Sequence, residues 1–312
     1  MRHGQRKNPR VLKRTPEHDA LVRGLLLMTV AMLVIPAMDA AVKYISGSIN
    51  GVQSGQARFG FQALFLFPAV LMLHGVRGLR PNNVPLNFAR SCLMAFAILL
   101  FFTALKWMPV ADAIAVFFVE PLILTVLSGV FLGEKIGWPR RFAVIVGFIG
   151  ALIVVRPSYE IFGWVSLLPL GAAFFFALYL LLTSTLSKSE DPFTMQFFSG
   201  VCGFAVLTLI AVAGTAADIE LLKLNWPTPF EWILLAAVGL VAAVIHLMIV
   251  YAFRVAPASV LAPFNYLEIV SATALGYFVF GDFPDLLRWV GIAIIVASGL
   301  FVFWRESRAA AS

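Results

Sequence analysis

Charge is scarce in this chain. Asp, Glu, Lys and Arg make up 12% of its 312 residues, where a soluble domain carries roughly 25%. Hydrophobic residues make up 61%, more apolar surface than a water-soluble fold of this size could cover. Cysteine is nearly absent. Cys92 and Cys202 both lie within apolar runs, which excludes a disulfide framework and a thiolate metal site and leaves two small buried hydrophobes. There is no zinc-type His/Glu spacing, no GxSxG elbow and no phosphate-cradling glycine loop, so hydrolytic and ATP-driven chemistry lack their usual residues. No loop is polar enough for a lipid-modifying enzyme, no rings of polar residues suggest a channel, and no cofactor or metal is expected. The net charge of +7 comes from basic residues at the ends of apolar runs rather than on one face, a membrane-anchoring pattern and not a nucleic-acid footprint.

What is there instead is a series of ten apolar runs: 21–45, 53–74, 86–108, 110–132, 142–155, 162–186, 193–212, 230–253, 258–280 and 287–304. Most match the ~20 residues a helix needs to cross ~30 Å of hydrocarbon; the fifth is a short exception. The first run starts like a secretory signal, but its apolar stretch continues to Ile45 and nine more runs follow, so it reads as a span. Residues 1–20, with six Lys and Arg, read as a disordered basic N-terminus. With that terminus inside, sixteen of the 23 Lys and Arg fall on the cytoplasmic side and five outside, while Arg58 and Arg90 lie within or near spans. Both termini, the tail 305–312 included, are therefore expected to be cytoplasmic.

One stretch, Val110 to Arg141, recurs. Pro109, Glu120, Gly133, Glu134 and Arg140 are echoed by Pro257, Glu268, Gly281, Asp282 and Arg288 at a constant offset of 148 positions. The copies lie five spans apart, an odd number, so the second must be upside down. The loop after Leu132 carries Lys135, Arg140 and Arg141, whereas its echo after Phe280 carries Asp282, Asp285 and only Arg288. Repetition with opposite charge bias is the pattern of an inverted repeat, a signature of secondary transporters with sites near the midplane. The expected fold is an all-α membrane protein, ten transmembrane helices as a five-plus-five inverted repeat (21–156 and 162–304) around a central cavity.

Each half closes with a span, a Gly-acid turn (Gly133-Glu134, Gly281-Asp282) and a glycine-bearing last span containing, in the first half, Gly147-Phe148-Ile149-Gly150. These features resemble the drug/metabolite transporter superfamily, EamA type, over nearly the whole chain. Ala262 to Glu268 (APFNYLE) with Phe280 to Pro284 (FGDFP) is similar to the bacterial S-adenosylmethionine uptake carriers of that superfamily. The resemblance implies a helical basket whose cavity opens alternately to either side of the bacterial inner membrane. It also implies a small-molecule substrate: uptake of S-adenosylmethionine or another nucleoside- or vitamin-like solute, with export of amino acids or drugs as the alternative and a membrane enzyme as a third reading.

Ionisable groups inside a bilayer are costly and mark function. Glu120 and Glu268 each lie about ten residues into a span, ~15 Å deep, and as repeat mates should approach one another. Two carboxylates there suit proton coupling or a cationic substrate group. Pro121, following Glu120, removes a helical hydrogen bond and would serve as a hinge; its mate is Ile269, so the halves are not equivalent. Asn265 shares a helical face with Glu268, while Tyr266 points elsewhere. Asp39 and Arg58 are expected to form a salt bridge, with an outer gate or substrate contact as the alternative, and Asp112 to be a capping or interfacial acid. Arg90 should snorkel toward lipid phosphate. His246 reads as a buried neutral histidine with one hydrogen bond, and Trp107 and Tyr179 as cavity-lining aromatics. Monomer and homodimer both fit.

Overall fold

The computed structural model describes residues 16–131, 138–256, 261, 264–265, 267–283 and 285–309. The turn Gly133-Glu134-Lys135, Pro257 and Tyr266 lie outside the described residues. All regular structure among the described residues is helical. Six helical stretches there are long and apolar enough to cross a membrane: Ala20–Ile45, Gly51–Leu79, Val84–Ala104, Tyr159–Leu186, Pro192–Ala216 and Pro229–Val255. Shorter apolar helices cover Leu267–Phe280 and Trp289–Ser298.

The elements are α1 (Pro16–Ile45), α2 (Gly51–His74), α3 (Val84–Ala104), α4 (Val110–Phe117), α5 (Glu120–Phe131), α6 (Trp138–Phe162), α7 (Leu168–Leu186), α8 (Pro192–Ala216), α9 (Pro229–Val255), α10 (Leu267–Leu275) and α11 (Leu286–Ala309). Local chemistry places their starts. Asn50, Asn83 and Asp191 each accept a backbone N–H of the first turn of α2, α3 and α8, and Thr228 and Glu231 form a capping box on α9. Proline occupies the first turn of α3, α8 and α9, where its missing N–H has no helical partner to lose.

Two expectations change here. The span expected to be continuous from Val110 to Leu132 is broken: α4 stops at Phe117, and Phe118 has turned out of helical geometry (ψ 1°). Pro121 explains the break, because it cannot donate to the carbonyl of residue 117 and its ring crowds that turn. Val119 closes a tighter turn onto the Val116 carbonyl (3.4 Å), and α5 restarts at Glu120. The expected short fifth span is also longer. α6 runs 25 residues, through Pro157, to Phe162, and ends at Gly163, whose φ of +61° suits glycine and turns the chain into α7.

The helices pack in matching pairs. α1 lies on α9 and α10, as α7 lies on α3 and α5; α2 packs on α8 and α9, α8 on α3, and α6 on α11. Glycine permits the last contact: a Cβ on Gly147 would meet Ser298 Oγ at 2.7 Å, and one on Gly150 would meet Ile294 Cγ2 at 2.8 Å. The loops are tied at both ends of the bundle. At one end the Glu190 carboxylate accepts from Asn82 N (3.0 Å), Asn83 N (2.7 Å) and Asn87 Nδ2 (3.3 Å). At the other, Asn225 donates from its backbone to Gln53 Oε1 (3.0 Å) and from its side chain to the Ser48 carbonyl (2.9 Å), and Ser48 donates to Glu231. There too Lys43 Nζ donates to the Met108 carbonyl (2.8 Å), within the field of Asp112 and Asp282.

Candidate functional site

The breaks in the helices deliver the polar groups. Glu120 is the first residue of α5 and Glu268 the second of α10, so both acids stand in the first turn of a helix, where the helix dipole favours negative charge. Both line one cavity, together with Asp39 from α1, His246 from α9 and Asn265. Its free volume is about 70 Å³, room for a few waters. Methionine and phenylalanine form most of the rest of the wall, with Met28, Met32 and Met38 from α1, Met94 and Phe101 from α3, Phe117 and Phe118 at the break, and Phe176 from α7.

The three acids are buried, Asp39 2%, Glu120 1% and Glu268 8% exposed, and Glu268 lies in the electrostatic field of both others. Asn265 does not serve Glu268, as its sequence position suggested; its side chain bonds Glu120. An amide has donors only on nitrogen, so Nδ2 donates, and Glu120 Oε1 and Asn265 Oδ1 are left buried without a partner among the described residues. Among the described residues, no lysine or arginine lines this cavity. It therefore presents three carboxyl groups and an amide inside an apolar wall, groups that can accept hydrogen bonds from a buried donor. No group of three His, Cys, Asp or Glu among the described residues is arranged to hold a metal ion.

The expected Asp39–Arg58 salt bridge does not form. Arg58 is fully buried and its Nη2 instead contacts His246 Nε2 at 3.2 Å, because α2 packs on α9. An arginine only donates, so Nε2 accepts, and Nδ1–H must donate to the Ala242 carbonyl at 3.1 Å. His246 is thus held in one neutral tautomer by two bonds rather than one. Arg90 does not snorkel. It is fully buried, donating to Thr183 Oγ1 (2.8 Å), Tyr179 OH (3.0 Å) and the Met195 carbonyl (3.5 Å). Tyr179, committed to Arg90, stands behind the wall rather than in it. Trp107 is 39% exposed on the α3–α4 turn, with Lys106 Nζ 5.4 Å from its ring centroid, away from the cavity. Pro121 breaks its span outright instead of bending it, and Asp112 is buried.

The EamA-like transporter family model matches residues 22–156 and 163–304, most of the chain. The chain belongs to the EamA-like transporter family. Relatives of this EamA-like chain include a riboflavin transporter of Vibrio cholerae, 31% identical over 92% of this chain and 95% of its own. An S-adenosylmethionine uptake transporter of Rickettsia bellii is 30% identical over 88% and 90%, and a pseudopaline exporter of Pseudomonas aeruginosa 28% identical over 90% and 95%. A solved crystal structure with 17% identity superposes with a TM-score of 0.66, covering 93% of this chain and 98% of its own; that likeness concerns the fold alone. The protein is a multi-pass membrane transporter of small metabolites.

Sequence reasoning missed the methionine wall of the EamA-like cavity and the partner of Arg58. The first had a signal: Met28, Met32, Ile35 and Asp39 follow helical spacing on α1, one apolar stripe ending in an acid. The second had none, since Arg58 and His246 are 188 residues apart.

Proposed function

We propose that this protein is a secondary transporter that carries a small organic cation across a bacterial inner membrane by alternating access, with S-adenosylmethionine uptake as the best-fitting activity. One observation carries the reading. Three buried carboxylates, Asp39, Glu120 and Glu268, border one methionine- and phenylalanine-lined cavity whose described lining holds no basic side chain, and Glu120 Oε1 has no donor among the described residues. A sulfonium or ammonium supplies the missing charge, and a flat apolar ring system suits polarisable thioethers and phenyl faces. The methionine wall also adapts its shape cheaply, which suits a cavity that must grow from its present volume to admit a solute.

The transport cycle follows from the proposed five-plus-five inverted repeat, residues 21–156 and 162–304. The constant offset of 148 positions supports it, as does the recurrence of α1 on α9 and α10 in α7 on α3 and α5. The loop ties at the two ends of the bundle would release in turn, one around Lys43, Met108 and Asn225, the other around Glu190. The distribution of basic residues supports a cytoplasmic location for both termini. The same carboxylates would exchange a proton for the cation, coupling uptake to the proton gradient. A thermal-shift panel on the purified protein tests substrate class, since a ligand of the folded state raises its apparent stability. S-adenosylmethionine should raise the unfolding midpoint while neutral riboflavin and acidic metabolites leave it in place; a riboflavin-only shift would replace this reading with a flavin carrier.

A further inference from the structure

We infer that Asp39 and Arg58 form a divided ion pair that receives an α-amino-acid head group, the substrate carboxylate on Arg58 and its ammonium on Asp39. The inference rests on the cation reading of the cavity and names the second half of the substrate.

Arg58 is the unusual group. It is fully buried in a membrane-spanning helix, yet makes no ion pair within 4.0 Å with any described carboxylate; its Nη2 contacts His246, and its Nε and Nη1 have no hydrogen-bond partner among the described residues. One face of the guanidinium is stacked 4.6 Å over the Phe59 ring, which leaves the edge donors for an incoming group. Nε and Nη1 lie on different edges of the guanidinium plane, and each offers one charge-assisted hydrogen bond to an incoming carboxylate. Asp39 feels the Arg58 charge without touching it; Asp39 and His246, the residue that Arg58 contacts, both line the cavity, and Arg58 stands directly behind His246. Tyr179 lies in its field behind the wall.

An isolated anion would be repelled by Asp39, and an isolated cation by Arg58. A head group with ammonium and carboxylate on one carbon satisfies both, filling the gap between two opposite charges held apart. Glu120, Glu268 and Asn265 remain for a second positive centre farther along the same molecule, as the sulfonium of S-adenosylmethionine provides. A buried arginine and a carboxylate kept apart in a low-dielectric interior are costly for the empty protein, and a substrate bridging them relieves that cost only when it carries both charges.

The test compares S-adenosylmethionine with its decarboxylated form, which keeps the sulfonium and the amine, as competitors of labelled S-adenosylmethionine uptake in proteoliposomes. Wild-type protein should need about tenfold more of the decarboxylated compound, the cost of one charge-assisted contact. Arg58→Gln should bring the two compounds level by weakening only the carboxylate-bearing one. Should that variant fail to fold, the isosteric Asp39→Asn should weaken both, since each carries the ammonium, and the wild-type comparison stands on its own. If wild-type protein treats the two alike, the divided pair is overturned and the cation reading survives. If neither compound competes and no uptake occurs, the cation reading itself falls, and this inference with it.

Discussion

Replacing Glu120 by glutamine should stabilise the protein while crippling it. Glu120 accepts from Asn265 through one oxygen, and Glu120 Oε1 and Asn265 Oδ1 are buried with no partner among the described residues. Glutamine has the same shape. Its carbonyl keeps the bond from Asn265, and its new amide donates back to Asn265 Oδ1, so one substitution removes two unsatisfied acceptors and a buried carboxylate. Leaving a buried polar group unpaired costs about 1–3 kcal/mol, and part of that is already relieved by local adjustment, so the expected gain is about 1–2 kcal/mol. In a chain of this length the unfolding midpoint should then rise by roughly 2–8 °C. Substrate binding moves the other way. A hydrogen bond to a charged acceptor contributes ~1.5–3 kcal/mol, so affinity for S-adenosylmethionine should fall about 10- to 100-fold. Thermal unfolding in detergent, with and without S-adenosylmethionine, reads both effects on one sample. A variant that melts below wild type and still binds normally would refute the reasoning, since it would make Glu120 a structural acid with a satisfied environment.

Other perturbations probe the frame around the site. Arg90→Lys should lower the unfolding midpoint by the equivalent of about 3 kcal/mol, because a point charge cannot replace the three bonds to Thr183, Tyr179 and Met195. Gly51→Ala should cost about 1–3 kcal/mol or prevent assembly, read as loss of monodisperse protein, because its Cβ would lie 2.5 Å from Thr103 N and the α3 backbone cannot yield as a side chain can. Hydrogen bonds from Lys223 to Glu220 and Asp218 raise its pKa above the ordinary 10.5. A raised pKa contributes stability below the unfolded value and loses it as pH rises through the folded one. The wild-type minus Lys223→Gln difference in melting should therefore be small, flat through neutral pH, and vanish only above that ordinary value.

The class of the molecule was legible because composition alone forbids a soluble surface, and the acids of the cavity were legible because so few ionisable residues occur within the spans. Glu120, Glu268, Asp39, Asn265 and His246 each stood out as an exception to hydropathy, and the cavity gathers all five. Pro121 signalled an irregularity, though not that α4 and α5 would separate and turn Glu120 into a helix start. What hydropathy cannot carry is which helix lies behind which. A buried arginine and an interfacial one look alike in sequence, so Arg90 was misplaced, and Arg58 was matched to the nearest acid in the chain instead of to His246 on a packed helix. Trp107 and Tyr179 show the same limit. Aromatic residues serve turns, networks and cavities equally well, and only the packing of α7 on α3 decided that Tyr179 meets Arg90.

The central claim is that an acidic, cation-accepting cavity carries the substrate, and Glu268 tests it most directly because it lies in the field of both other acids. Uptake of labelled S-adenosylmethionine into proteoliposomes should be saturable with wild-type protein and abolished in Glu268→Gln protein that folds and reconstitutes normally. Undiminished uptake by that variant, or wild-type vesicles that carry riboflavin but no S-adenosylmethionine, would contradict it.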